Sequence, residues 1–304
     1  MTRKFFLQLI ALSCIQKGKL FSDTMEENTN KKNILVRKIP SSNEYIPVIG
    51  LGTWKTFDKE PTPANVSILA GVTNKFYDLG GLLIDSSPMY GRAEENIGRI
   101  YPFLENRKLF YATKVWTSGE ASGKSQIQSS FSKMKTNVMD LFQIHNLVDW
   151  KVQLKTLRRL KEEGKIRYIG ITHYHSGAFS ELEQVMKSEQ IDFIQIPYSI
   201  VTREAENKLF PLAIEKKIAV LINRPFEEGS LFNYVKGKSL PENAKNFSIS
   251  SWAELLLKFI LVEEAVTCII PATDKIEHLE NNMNAGKGEI PDKKTRERWA
   301  ELFH

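Results

Sequence analysis

Two cysteines are all that the 304 residues contain, and they form no Cys-x-x-Cys pair. That scarcity excludes a disulfide framework and a cysteine-rich zinc site. Cys268 lies inside an apolar run and reads as a small buried residue. Also missing is any basic stripe with interleaved aromatics. The formal charge of +6 is spread along the chain, with only short pairs such as Lys216-Lys217 and Lys293-Lys294. Such a distribution argues against a nucleic-acid footprint. No stable membrane span is expected, because the N-terminal apolar stretch ends near Ile15 and is too short to cross a bilayer as a helix. Two glycine-rich phosphate motifs fail as well. Gly50-Leu51-Gly52 has Lys55 at the third glycine position of a dinucleotide fingerprint, and Gly123-Lys124-Ser125 has Ser118 where a phosphate loop needs its leading glycine.

What is present is ordinary in bulk and informative in pattern. Hydrophobic residues make up 42% and charged residues 26%, the balance of a globular protein. The length suits one eight-stranded α/β barrel. Eight short apolar runs recur: Val48–Leu51, Leu82–Ile84, Leu109–Val115, Leu141–Ile144, Ile166–Ile171, Ile191–Ile196, Ile218–Ile222 and Val266–Ile270. Helical spacing lies between them, as in Trp150, Leu154 and Leu157, or in Trp252, Leu255, Leu256, Phe259 and Ile260 along one apolar face. Continuous apolar strands alternating with amphipathic helices mean a parallel sheet covered by helices. Eight such units predict closure into a (β/α)8 TIM barrel over residues 34–304. Ahead of it, Ile34–Ile39 and Tyr45–Ile49 flank Ser41–Glu44 as a hairpin.

Polar residues sit directly after three of the runs. Asp85 and Tyr90 lie in Asp85-Ser86-Ser87-Pro88-Met89-Tyr90-Gly91, Lys114 in Phe110-Tyr111-Ala112-Thr113-Lys114, and His145 in Phe142-Gln143-Ile144-His145-Asn146. Asp, Tyr, Lys and His on successive strand ends are the pattern of an active site at the mouth of a parallel barrel. A phenol with a reference pKa of about 10 is a poor acid and needs a nearby cation. Lys114 and His145 are the candidate cations, and Lys114 close to the phenol oxygen is expected to lower the Tyr90 pKa.

The stretch IDSSPMYGRAEENIG, then ATKV, then FQIHN, resembles the aldo-keto reductase superfamily, from about Ile46 in IPVIGLGTW to about Gly286. The resemblance implies that the hairpin plugs the bottom of the barrel. It also implies a catalytic tetrad of Asp85, Tyr90, Lys114 and His145, with a small-molecule aldehyde or ketone as substrate and NADPH as hydride donor, NADH being a usable second choice. Tyr90 would give the proton, Lys114 ease its release, Asp85 hold Lys114, and His145 orient the carbonyl. Thr53 and Trp54 belong to the expected cofactor cleft. Thr172-His173 stand where relatives carry Ser-Asn for the nicotinamide amide, and Gln195 matches the glutamine that reaches it. Asn223, in Ile222-Asn223-Arg224-Pro225-Phe226, replaces a stacking tyrosine. In the adenosine-phosphate loop Ala272 replaces a lysine and His278 an arginine, while Thr273 and Asn282 match in type. Arg224 or Lys275 is then the compensating cation, Arg224 being equally readable as a local loop partner. Trp54 and Trp116 line an apolar substrate pocket or pack at the barrel mouth.

Other readings stay open. His173-Tyr174-His175 raises a metal-dependent hydrolase, although no matching His and Asp cluster follows. A catalytically quiet, cofactor-binding regulatory subunit of the same fold is the third. The start, Thr2-Arg3-Lys4-Phe5-Phe6-Leu7, resembles a twin-arginine export leader with Lys4 for the second arginine, as in a bacterial branch of the superfamily. Residues 1–33 are thus a leader and polar linker, which places the protein in the periplasm, or an unprocessed terminus, which leaves it in the cytoplasm.

Overall fold

The computed structural model describes residues 33–105 and 107–303. The leader, residues 1–32 of the stretch discussed above, lies outside them. Eight parallel strands form one sheet: β3 (Leu51–Gly52), β4 (Leu83–Asp85), β5 (Phe110–Val115), β6 (Met139–His145), β7 (Ile166–Thr172), β8 (Phe193–Pro197), β9 (Ala219–Asn223) and β10 (Val266–Ile269), each bonded to its sequence neighbours. Parallel bridges Ile49↔Ile269 and Gly52↔Ala272 join the first strand to the last and close the barrel. Gly52 makes that closure feasible, since a Cβ there would sit 2.6 Å from the Ile270 carbonyl oxygen. The eight apolar runs of the sequence are these eight strands.

Helices α1 (Pro63–Asp78), α2 (Ala93–Ile100), α3 (Glu120–Met134), α4 (Trp150–Glu162), α5 (Phe179–Ser188) and α6 (Leu209–Lys216) follow the strands in turn. The long β9–β10 connection carries the short α7 (Ser230–Tyr234) before α8 (Trp252–Leu261), and α9 (Ile276–Asn284) and α10 (Lys293–Ala300) complete the outer layer. Their starts are capped as the sequence allows: Thr62 accepts from Asn65 N, Ser251 from Glu254 N and Asp292 from Thr295 N. Helix α4 buries Leu154 and Leu157, as its spacing predicts. Helix α8 departs from expectation, because Glu254 and Lys258 are buried along with its apolar face. Lys258 Nζ donates to the carbonyls of Lys287 and Glu289 at 2.6 and 2.9 Å, and the Glu254 carboxylate accepts from Ser250 N and Oγ.

A hairpin, β1 (Val36–Lys38) against β2 (Tyr45–Pro47), is antiparallel with Arg37 opposite Ile46. Ile39 and Ile46 pack with Leu83, Phe110, Leu141 and Phe193, the inward residues near the strands' N-terminal ends, so the hairpin covers the bottom of the barrel. Arg37 fastens it by donating to the carbonyls of Leu261, Glu263 and Val266. Among the described residues no helix is long and apolar enough to cross a membrane.

Side-chain alternation along the strands then decides where chemistry can occur. On β5 the inward series is Phe110, Ala112, Lys114, while Tyr111 and Val115 face the helices. On β6 it is Leu141, Gln143, His145, with Phe142 and Ile144 outside. The same period of two brings Asp85, Gln195 and Asn223 inward at the C-terminal ends of β4, β8 and β9. The floor of the barrel is apolar and its upper layer polar.

Candidate active site

The upper layer is centred on a buried ion pair. Lys114 Nζ donates to Asp85 Oδ2 at 2.5 Å and to the Ser86 carbonyl at 2.7 Å, with Lys114 0% and Asp85 2% exposed. The other carboxylate oxygen, Asp85 Oδ1, accepts from Gln143 Nε2 and Gln195 Nε2, each at 3.0 Å. A buried charge pair holds only when its remaining lone pairs are satisfied, and here both oxygens are occupied. Thr53 braces the same strand end, its Oγ1 donating to the Asp85 carbonyl at 2.9 Å.

Tyr90 is carried over this pair by the turn after β4. Gly91 ends the turn at φ +57°, and the Asp58 carboxylate occupies the space a Cβ would need. The Lys114 ammonium lies 4.9 Å from the Tyr90 ring centroid. Burial raises the Tyr90 pKa, Lys114 pulls it down, and Asp85 adds to the rise; the net direction is upward. The expected pull of Lys114 is present, but burial outweighs it. Lys114 itself is drawn down by burial, yet Asp85 and Tyr90 together hold it above the ordinary lysine value. His145 meets Tyr90 edge-on at 6.0 Å between ring centroids, and burial with the nearby Lys114 charge lowers its pKa to about 2. Its imidazole is therefore neutral across the physiological range.

Asp85, Tyr90 and His145 open onto a cleft of about 620 Å³, and Lys114 is buried beside them. Trp54, Trp116 and Met89 line the cleft together with Thr53, Gln195, Asn223, Arg224, Pro225 and Phe226. Thr172 and His173 do not line it but hold two residues that do: Thr172 Oγ1 donates to Gln195 Oε1 at 3.2 Å, and the His173 carbonyl accepts from Asn223 Nδ2 at 3.1 Å. The His173 ring stacks on Tyr174 and meets His175 at 4.3 Å, its Nδ1 accepting from Tyr174 N at 3.1 Å. Its pKa falls to about 4 through burial and the His175 charge. Among the described residues no group of three or more His, Cys, Asp or Glu is gathered to hold a metal.

Arg224 pairs with Glu228 at 3.2 Å, which is the local-loop role. Glu228 also accepts from Lys55 at 3.4 Å across the cleft. In the loop after β10, Ala272 lines the cleft, whereas Thr273, Lys275, His278 and Asn282 do not. Thr273 Oγ1 accepts from Lys275 N at 3.1 Å and so shapes the entry to α9. Lys275 and His278 are exposed and Asn282 is buried.

Residues 48–300 match the model of the Aldo/keto reductase family. The chain belongs to that family. It is similar to the methylglyoxal reductase YeaE of Escherichia coli, 27% identical over 252 residues that cover 80% of this chain and 86% of that one. A second Escherichia coli relative, the NADH-specific methylglyoxal reductase, is 24% identical over 261 residues, covering 74% and 78%. In fold it resembles an aldo-keto reductase of Klebsiella pneumoniae solved in complex with NADPH, with a TM-score of 0.72 at 24% identity over 86% of this chain and 91% of that one.

Sequence reading passed over two residues of this aldo-keto reductase site. Gln143 could have been found, since it stands two positions before His145 and must share its inward face. Ser87, whose Oγ lies 3.0 Å from His145 Nδ1, carried no local signal.

Proposed function

We propose that this aldo-keto reductase reduces an aldehyde or ketone to the alcohol with NADPH, Tyr90 giving the proton to oxygen. The observation that carries this reading is the buried Lys114–Asp85 pair set beside Tyr90, with His145 on the same mouth. His145, neutral, holds the carbonyl oxygen and turns the carbon toward the cofactor side of the cleft. Tyr90 keeps its proton until negative charge grows on that oxygen, then releases it. Lys114 lies close enough to stabilise the phenolate left behind, and Asp85, held by Gln143 and Gln195, keeps Lys114 in place. The bound dinucleotide supplies the hydride that no side chain provides.

The residues suit that cofactor. Asn223 Oδ1 is buried and has no partner among the described residues, although Asn223 lines the cleft. A carboxamide N–H is a group that would satisfy it, with Gln195 as its neighbour on β8. NADPH fluorescence quenching on binding, followed by its consumption with methylglyoxal and with an aryl aldehyde, tests the proposal. Methylglyoxal is chosen because two relatives are named for it, the aryl aldehyde because Trp54 and Trp116 flank the opening. Quenching with turnover is expected. Quenching without turnover of any carbonyl would leave the quiet cofactor-binding subunit instead.

Cofactor choice follows from charge. Lys59 is taken by Asp274 at 2.7 Å and Arg224 by Glu228, so neither is free for a 2′-phosphate. Lys275, exposed and three residues past Ala272, has no ion pair among the described residues. Charge-assisted contacts of this kind are worth roughly 1.5–3 kcal/mol each. Ala272→Lys should therefore sharpen preference for NADPH, and Lys275→Ala should weaken it, as read by titrating both cofactors. Tighter binding of NADH by the wild type, with no response to Lys275→Ala, would overturn the assignment.

A further inference from the structure

Holding a carbonyl oxygen requires that His145 offer it an N–H, and a neutral imidazole has only one to offer. Which nitrogen carries it is settled by the neighbour of the other. His145 Nδ1 lies 3.0 Å from Ser87 Oγ. That oxygen also accepts from Met89 N at 3.3 Å. Ser87 is 0% exposed, so water does not reach its hydroxyl. If Nδ1–H donated to Ser87, the oxygen would take two donors, and the hydroxyl hydrogen would have no acceptor among the described residues. A buried donor left unpaired is costly. If Ser87 donates to Nδ1 instead, every group in the cluster is satisfied.

We infer that Ser87 is a positioning residue whose hydroxyl donates to His145 Nδ1 and fixes the ring as the Nε2–H tautomer. Nε2 is the ring nitrogen then left for the cleft that His145 lines, and it carries the hydrogen a carbonyl oxygen needs. The turn after β4 thereby serves both polar partners of the substrate: it presents Tyr90 from its tip and sets the imidazole from its root. The Tyr90 N–H donates to the Ser87 carbonyl at 3.0 Å, which ties the two positions together. Pro88 between them restricts the backbone and helps keep both ends in register. The inference deepens the carbonyl-reduction reading and rests on it for its catalytic consequence, but not for the tautomer itself.

Nitrogen-15 NMR of the histidine rings separates the two. With the His145 signal assigned by its loss in His145→Gln, the wild type should show Nε2 protonated and Nδ1 bare at neutral pH. Ser87→Ala should turn that signal into a mixture of tautomers. It should also lower kcat on the order of tenfold, the size expected for one lost hydrogen bond, with little change in the Kd for NADPH. A wild-type spectrum with the proton on Nδ1 would overturn the inference without any variant being made. So would a pure Nε2–H signal persisting in Ser87→Ala. The expected tautomers in a protein that turns over no carbonyl would support the role of Ser87 and count against the proposed reaction alone.

Discussion

Carbonyl reduction should fall by a factor on the order of 10²–10⁴ in Tyr90→Phe, while NADPH binding survives. That range is typical for removing a positioned general acid. The substitution deletes one oxygen and keeps the ring, so the edge contact with His145 at 6.0 Å and the Lys114 ammonium 4.9 Å from the ring centroid both remain. A change confined to kcat therefore reports proton supply rather than a collapsed site. The pH profile of the wild type carries the same information. Because the Tyr90 pKa is raised, the phenol stays protonated through neutrality, and because the His145 pKa is lowered to about 2, the imidazole does not charge there. Reduction should be flat across the neutral range, with its decline on the alkaline side as Tyr90 loses its proton. An inflection between pH 6 and 7 that disappears in His145→Gln would contradict the neutral imidazole. Near-normal turnover in Tyr90→Phe would remove Tyr90 as the donor.

Much of this site was legible because its signals are local. Each strand is a short apolar run with a polar residue at or next to its end, so Asp85, Lys114 and His145 could be placed on strand ends by reading along the chain. The period of two then sends them inward together with Gln195 and Asn223. What resisted reading is what depends on distance in space. Gln143 and Gln195 are 58 and 110 residues from Asp85, yet both donate to the same carboxylate oxygen. The sequence reading puts Gln195 at the cofactor amide; the fold commits its Nε2 to the ion pair. The sign of the Tyr90 shift was hidden for a related reason. A lysine nearby can be guessed from two strand ends, but the depth of burial that outweighs it is a property of the closed barrel. Helix α8 shows the same limit, since its apolar face was plain but the carbonyls that receive the buried Lys258 ammonium come about thirty residues later.

Lys114→Met should destabilise the fold as well as abolish turnover, and the two effects can be pulled apart. The ammonium is fully buried and bonded to Asp85 and to the Ser86 carbonyl. Removing it leaves the Asp85 carboxylate with two amide donors and no counter-charge. Breaking a buried pair from one side typically costs about 3–5 kcal/mol. For a domain of this size that corresponds to a fall of roughly 10 °C in Tm. Turnover should be lost because nothing then stabilises the phenolate of Tyr90. The double variant Asp85→Asn/Lys114→Met removes both charges and spares the fold an unpaired one. It should regain most of the lost Tm and none of the lost activity. Thermal unfolding followed by circular dichroism and single-turnover reduction on the same preparations give the two readings. If Lys114→Met unfolds at the wild-type temperature, Lys114 and Asp85 are not a buried charge pair. If the double variant reduces carbonyls at near the wild-type rate, Lys114 does not act on Tyr90 at all.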